Sequence, residues 1–301
     1  MPESSYHLPP WFTRAYGILV GSVFGLIALG GSVRMMNAGL ACPDWPLCFG
    51  DVIPDYHPQV YFEFIHRVVA GLVALATVVL HVVIFRSRAP KTIKVLAGVA
   101  LGILAAQVVL GGLTVLWQLH SKVVAAHLGM GTGFFATLVW IHARLKQQKV
   151  GDFGASYNVR AWTRLFLIAI YAQILLGGLV ASHFASLVCV DFPTCHGQWF
   201  PTFRGIIGLH VIHRLGAYTI FALAVINLWI MRKYSDNPRL VRLGKGIFAM
   251  VCMQVALGIA NVLLHTPPLI AVGHLAMATA VLMMALRQVF YAGTARVAAS
   301  V

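Results

Sequence analysis

Eight runs of about 20 apolar residues recur along this chain, each long enough to cross a hydrocarbon layer about 30 Å thick. They fall at roughly 15–36, 64–85, 94–117, 122–142, 162–183, 207–231, 242–264 and 269–290. Little of the 301 residues is left over for a soluble domain, and the mean hydropathy of +0.83 leaves no room for one. The first run is too long, and too well matched to the fifth, to read as a cleaved signal peptide. The pattern therefore predicts an all-α integral membrane protein with eight transmembrane helices.

The runs are organised as a duplication. His66 and His213 are 147 residues apart, and so are His127 and His274. The same offset relates Cys42 to Cys189, Cys48 to Cys195, Arg67 to Arg214, Gln107 to Gln254 and Gly111 to Gly258. A shared offset without gaps means one unit used twice. The unit is a four-helix bundle, and because four is even both copies enter the membrane in the same sense, as parallel repeats. The expected halves are 1–148 and 149–301, joined by a basic linker near 143–161. Each half could hold a cofactor between its facing helices.

The net charge of +14 raises the question of nucleic acid, and its distribution excludes it. Arg86, Arg88, Lys91 and Lys94 share one loop. Arg144, Lys146, Lys149, Arg160 and Arg164 surround a second, and Arg232, Lys233, Arg239, Arg242 and Lys245 flank a third. The alternate loops contain Asp44, Asp51, Asp55 and Asp191. This is positive-inside asymmetry. It predicts cytoplasmic termini, with loops 37–62 and 184–206 outside.

All four repeated histidines stand near the outer ends of even-numbered helices. In each half the pair is separated by 61 residues. An imidazole in lipid needs a metal, an acid or a carbonyl as partner. Two histidines per bundle suit haem, which takes two axial ligands. Zinc fits less well, because neither pair has a third Cys, His or carboxylate near it in both copies. Arg67 and Arg214 each follow a ligand candidate, where they could pair with haem propionates or snorkel to lipid phosphate. Of the other histidines, His7 and His57 read as solvated, His81 and His142 as inner-side residues. His120, His183, His196 and His265 are candidates for proton handling on the outer side.

Where the copies differ, one half does something the other does not. Glu63 lies three residues before His66, on the same helix face, and the offset replaces it with His210. A carboxylate at the membrane boundary is expensive unless used. It can serve as a proton donor or acceptor, or as an interfacial partner of Arg67 or Arg34. Arg34/Ala181, Asn37/Phe184, Thr114/Asn261 and His120/Pro267 also make the first half the more polar one. The reading is that the first half does chemistry and the second holds a permanent cofactor.

Two smaller motifs complete the pattern. Cys42-Pro-Asp-Trp-Pro-Leu-Cys48 and Cys189-Val-Asp-Phe-Pro-Thr-Cys195 share C-x-D-aromatic-P-x-C. In an oxidising outer compartment each pair forms a disulfide, either as a clip over the bundle or, for Cys42–Cys48, as a partner for thiol exchange. Cys252, inside the seventh run, reads as packing. Helices 3, 5 and 7 share Gln-x-x-x-Gly at Gln107, Gln173 and Gln254. Close helix packing explains this motif in lipid, and a flat macrocycle between helices would need the same small residues.

Taken together, Glu63-x-x-His66-Arg67, His127, His213, His274 and the paired cysteine loops closely resemble the haem A synthase family, in its cysteine-bearing, eight-helix bacterial form. The resemblance covers nearly the whole chain. It implies an enzyme of the bacterial cell membrane that oxidises the C8 methyl of haem O to a formyl group, making haem A for terminal oxidases. It implies that His213 and His274 ligate a resident haem b. His66 and His127 would hold haem O or haem A, and Glu63 would act as an acid/base or cation-stabilising group. It also implies a handoff of haem O from haem O synthase. An outer-side thiol-disulfide protein is a further possible partner.

Two other classes compete. A dihaem cytochrome b-type electron carrier would use the same histidines with both haems permanent, but leaves the one-sided Glu63 without a purpose. A transporter would be suggested by the duplicated bundles, but matching Gly/Pro-broken segments at mid-membrane depth are lacking.

Overall fold

A computed structural model describes residues 8–146, 155–199 and 201–293. Among them the chain forms eight long α-helices and one short 3-10 turn at Ala185–Leu187. The helices are α1 (Pro10–Met35), α2 (Pro58–Arg86), α3 (Lys91–Leu116), α4 (Ser121–Lys146), α5 (Tyr157–Ser182), α6 (Gly205–Tyr234), α7 (Pro238–Leu263) and α8 (Pro268–Gly293). All eight are long and apolar enough to span a membrane, so this is a multi-pass membrane protein.

The helices begin where the backbone chemistry favours it. Proline opens α1, α2 and α7, where its missing N–H costs nothing and its fixed φ suits the first turn. Asn237 caps α7 by accepting from the Arg239 amide at 3.0 Å. Several helices run past the apolar runs seen in the sequence. Helix α2 starts at Pro58 rather than near 64, because Gln59 and Glu63 sit on its first turns and lower the local hydropathy without breaking the helix.

Contacts divide the chain into two compact units, Met1–Gln148 and Lys149–Val301. Inside the first, α1 packs on α2, α2 on α3, α3 on α4, and α4 back on α1. Inside the second, α5, α6, α7 and α8 close the same ring. Left-handed backbone recurs at the 147-residue offset, at Asn37 and Phe184, Phe49 and His196, Gln118 and His265, and Leu119 and Thr266. Residues 147–154 of the basic linker fall outside the described residues, as do His7 and both termini.

Each cysteine loop folds onto the start of the helix that follows it. Cys42 is bonded to Cys48 and packs on Val60 of α2; Cys189 is bonded to Cys195 and packs on Val211 of α6. An aspartate organises each loop from within. Asp44 accepts from the amides of Phe49 at 2.6 Å and Gly50 at 2.7 Å. Asp191 accepts from the Thr194 hydroxyl at 2.6 Å and the amides of His196 and Gly197. These donors hold both carboxylates below the usual range, through Gly50 foremost for Asp44 and Thr194 foremost for Asp191.

Candidate functional site

His66 is the ninth residue of α2 and His213 the ninth of α6; His127 is the seventh of α4 and His274 the seventh of α8. The pair in each unit therefore stands on alternate helices of the ring, on the turns near the cysteine loop. The two imidazoles of each pair lie within electrostatic range of one another. Every one of the four turns the edge of its ring, Cε1, onto a glycine of a neighbouring helix. A Cβ added at Gly30 would lie 3.2 Å from His66, at Gly111 3.4 Å from His127, at Gly177 3.0 Å from His213 and at Gly258 3.1 Å from His274. Three of these are the glycines of the Gln-x-x-x-Gly motif. The motif therefore seats the histidines, a role that helix packing alone did not disclose.

These residues fit a haem. Two imidazoles on alternate helices can supply two axial nitrogens, and bare glycines beside them leave the helices close without side chains in between. Nδ1 of His66, His127 and His274 is buried with no hydrogen-bond partner among the described residues. So are Oε1 of Gln107, Oε1 of Gln254 and Oδ1 of Asn261. Unsatisfied polar atoms cost about 1–3 kcal/mol each, and these six stand on three of the paired histidines, on two glutamines of the motif and on Asn261, one turn past Gly258, where a bound group could satisfy them. The described residues gather no group of three or more His, Cys, Asp or Glu that could hold a metal ion, and a bare imidazole pair suits haem iron better than zinc.

Glu63 is buried, at 7% exposure, one turn from His66. Its Oε1 accepts from Nε of Arg67 at 2.8 Å, an ion pair one turn apart on α2. Arg67 then spends its other nitrogens on the cysteine loop. Nη1 donates to the carbonyls of Asp44 at 2.8 Å and Leu47 at 2.7 Å, and Nη2 to that of Cys42 at 3.2 Å. Arg214 grips its loop the same way, through the carbonyls of Thr194 and Cys189, both at 2.7 Å. There the likeness stops. His210 turns its Nδ1 to the Ala185 carbonyl at 2.7 Å, and Nε of Arg214 is left buried without an acceptor. The backbone grip of both arginines was not visible in the sequence, which showed only a cation beside a histidine.

Other sequence candidates fall elsewhere. His120, His196 and His265 are exposed, and His183 lies half-buried with Nδ1 on the Leu179 carbonyl at 2.9 Å. His57 is exposed at the start of α2. His81 is fully buried far along α2, between the Thr77 carbonyl at 2.6 Å and the Tyr16 hydroxyl at 3.3 Å. Tyr16 also stacks on His142. Gln173 is a residue whose role beside His213 the sequence did not single out. Its Nε2 lies 3.0 Å from Nδ1 of His213 and donates to the His213 carbonyl at 2.8 Å.

Comparison with known proteins agrees with this arrangement. The profile of the cytochrome oxidase assembly protein family matches residues 14–286. A heme A synthase of Halalkalibacterium halodurans is 32% identical over 272 residues, covering 87% of this chain and 90% of the relative. One of Shouchella clausii is 31% identical over 251 residues, covering 80% and 83%, and one of Shewanella oneidensis 28% identical over 291 residues, covering 83% and 87%. With a profile match over most of its length and relatives above 30% identity, the chain belongs to the cytochrome oxidase assembly protein family, among the heme A synthases.

Proposed function

We propose that this chain is a haem A synthase that oxidises the C8 methyl of haem O to the formyl group of haem A, and that the reaction takes place in the first unit. The observation that carries this reading is Glu63, a buried carboxylate beside His66 whose counterpart is His210. A carrier of two permanent haems has no use for a charge on one side only.

His66 and His127 hold the substrate haem O, and His213 and His274 a resident haem b. The bound haem supplies the electron chemistry that side chains lack. The chain's own residues do the rest. Oε1 of Glu63 is tied to Arg67, so Oε2 would be the oxygen left to take or give a proton during the oxidation. Arg67, anchored on three loop carbonyls, keeps that carboxylate in place. In the second unit the buried Nε–H of Arg214 is a donor for a haem b propionate. Arg67 has less to offer a propionate, since Glu63 already occupies its Nε.

The enzyme sits in the bacterial cell membrane, with cytoplasmic termini and the cysteine loops outside. Haem O reaches it from a haem O synthase. A thiol-disulfide protein outside the membrane acts on Cys42–Cys48 if that bond is exchanged rather than only structural.

Extraction and mass separation of the pigments tests the reading. The purified protein should contain haem b together with haem O or haem A, and Glu63→Gln should accumulate haem O or a partly oxidised haem. Two haems b per chain, with unchanged porphyrin, would establish the electron carrier instead. Normal haem A output from Glu63→Gln would remove Glu63 from the chemistry.

A further inference from the structure

The four histidines share one part of their setting. Each faces a glycine on a neighbouring helix, and the residue one turn before that glycine differs. Before Gly111, Gly177 and Gly258 it is a glutamine, Gln107, Gln173 and Gln254. Before Gly30, which faces His66, it is Leu26.

The consequences are seen most directly at His213. Gln173 lies against both Nδ1 of that imidazole, at 3.0 Å, and the carbonyl of the same residue, at 2.8 Å. One carboxamide thus pins the ring to its own backbone. The same Nε2 atom faces both groups, so this arrangement donates to an unprotonated Nδ1, and an amide turned over would serve a protonated Nδ1 only by giving up the bond to the carbonyl. Room for it comes from Gly216, one turn beyond His213, where a Cβ would collide with the Gln173 side-chain oxygen. In the first unit both members of this pair are exchanged together. Gln173 becomes Leu26 and Gly216 becomes Val69. Nδ1 of His66 has no partner among the described residues, as is also true of Nδ1 of His127 and of His274; particular to His66 is that no carboxamide stands one turn before its glycine.

Of the remaining histidines, His274 has a carboxamide close by, on its other ring nitrogen. Nε2 of Gln254 stands 3.3 Å from Nε2 of His274. Gln107 lies over Gly131, one turn beyond His127. The second unit has Ala278 in place of Gly131.

We infer that Gln173, with Gly216 making room for it, is the positioning residue that fixes His213, and that the Leu26/Val69 exchange makes His66 the histidine that lets its haem go. The inference rests on the assignment of haem b to the second unit and of the exchanged haem to the first. Its physical basis is that the partner of the non-ligating nitrogen sets ring orientation and basicity. Losing such a partner typically costs 10–100-fold in affinity for the metal group. A resident cofactor calls for that grip on at least one ligand, which His213 has. A haem that must enter, react and leave calls for one ligand without it, and His66 is also the ligand beside Glu63.

The test is a reciprocal exchange read by spectroscopy and haem retention, using the full-length detergent-purified protein. Gln173→Leu should shift the low-spin electron paramagnetic resonance signal of haem b and speed its loss on dilution by about 10–100-fold. Gln173→Glu, which offers an acceptor to a protonated Nδ1 but loses the bond to the His213 carbonyl, should restore part of the retention. Leu26→Gln with Val69→Gly should slow release of the haem held by His66 and lower turnover, leaving the haem b signal unchanged. An unchanged signal and unchanged retention in folded Gln173→Leu would overturn the role of Gln173. Where that variant does not fold, the Leu26→Gln/Val69→Gly protein decides, and unaltered release from it overturns the inference. His213→Ala separates the two levels of the argument. If it keeps its haem b, the assignment of haem b to the second unit has failed, whatever Gln173 does.

Discussion

Arg67 donates its Nε–H to Oε1 of Glu63 at 2.8 Å, while its two other nitrogens hold three carbonyls of the loop closed by Cys42 and Cys48. The position of the carboxylate and the position of the loop are therefore set by one side chain. Lysine cannot reproduce this grip, because its ammonium is a point charge and lacks the planar fork. Each charged hydrogen bond lost to the loop is worth about 1.5–3 kcal/mol. Arg67→Lys should raise amide exchange across Asp44–Cys48 as well as slowing haem A formation. Glu63→Gln should slow haem A formation and leave loop exchange as it was. Equal loop protection in the wild type and Arg67→Lys would show that the disulfide alone holds the loop.

The glycines beside the histidines give a graded series. A Cβ at Gly177 would stand 3.0 Å from Cε1 of His213, a ring that Gln173 prevents from moving aside, whereas one at Gly111 would meet His127 at an ordinary 3.4 Å. Overpacking of this kind costs about 1–3 kcal/mol where neighbours cannot yield. Gly177→Ala should lose haem and lower the unfolding temperature, Gly30→Ala should be intermediate because His66 is not pinned, and Gly111→Ala should be mildest. Haem content per chain and thermal unfolding of each purified variant measure the order. Equal effects at Gly111 and Gly177 would contradict it.

Much of this site could be read from the chain because lipid imposes simple rules. A span must be a long apolar helix, so the eight helices followed from hydropathy alone, and buried histidines at a fixed offset of 147 stood out against that background. The Glu63/His210 difference was equally plain. Long-range pairings were not. Gln173 and His213 are 40 residues apart, and Tyr16 and His81 are 65 apart, so which side chains meet depends on helix rotation, which hydropathy does not fix. Arg67 illustrates the same limit. Its neighbours in sequence suggested a propionate or a lipid phosphate, and it turns instead to a loop that begins 25 residues earlier at Cys42. Helix ends were blurred for another reason: polar residues such as Gln59 belong to the helix but not to its apolar run.

The aspartates within the loops predict a pH response. Asp44 and Asp191 are both held below the ordinary carboxylate value by donors that exist only in the folded loop. A lowered folded value means that the stabilisation is present above the unfolded value of about 3.9 and lost as pH falls through the lower folded one. Asp191, which also accepts from Thr194, should release last. Protection of the His196 and Gly197 amides should thus persist to lower pH than that of Phe49 and Gly50. In Asp191→Asn the acid step at His196 and Gly197 should vanish. Simultaneous release of both loops near pH 4 would show that the aspartates titrate as free carboxylates.

Trp45 and Gly112 make a last contrast between the units. The indole of Trp45, carried by the first cysteine loop, lies over α3 so closely that a Cβ at Gly112 would come within 3.1 Å of it. The second unit has Phe192 and Ile259 at these positions. A smaller ring is thus matched to a larger helix residue, and a larger ring to none. Gly112→Ile alone should push the loop from its seat, at about 1–3 kcal/mol. Adding Trp45→Phe should recover much of the loss, because contacting residues are coupled and do not add. The rate at which a water-soluble phosphine reduces Cys42–Cys48 reports the seating. It should rise in Gly112→Ile and fall back in the double variant, while reduction of Cys189–Cys195 stays constant as an internal control. Additive rates in the double variant would mean that the indole and Gly112 do not set the loop position together.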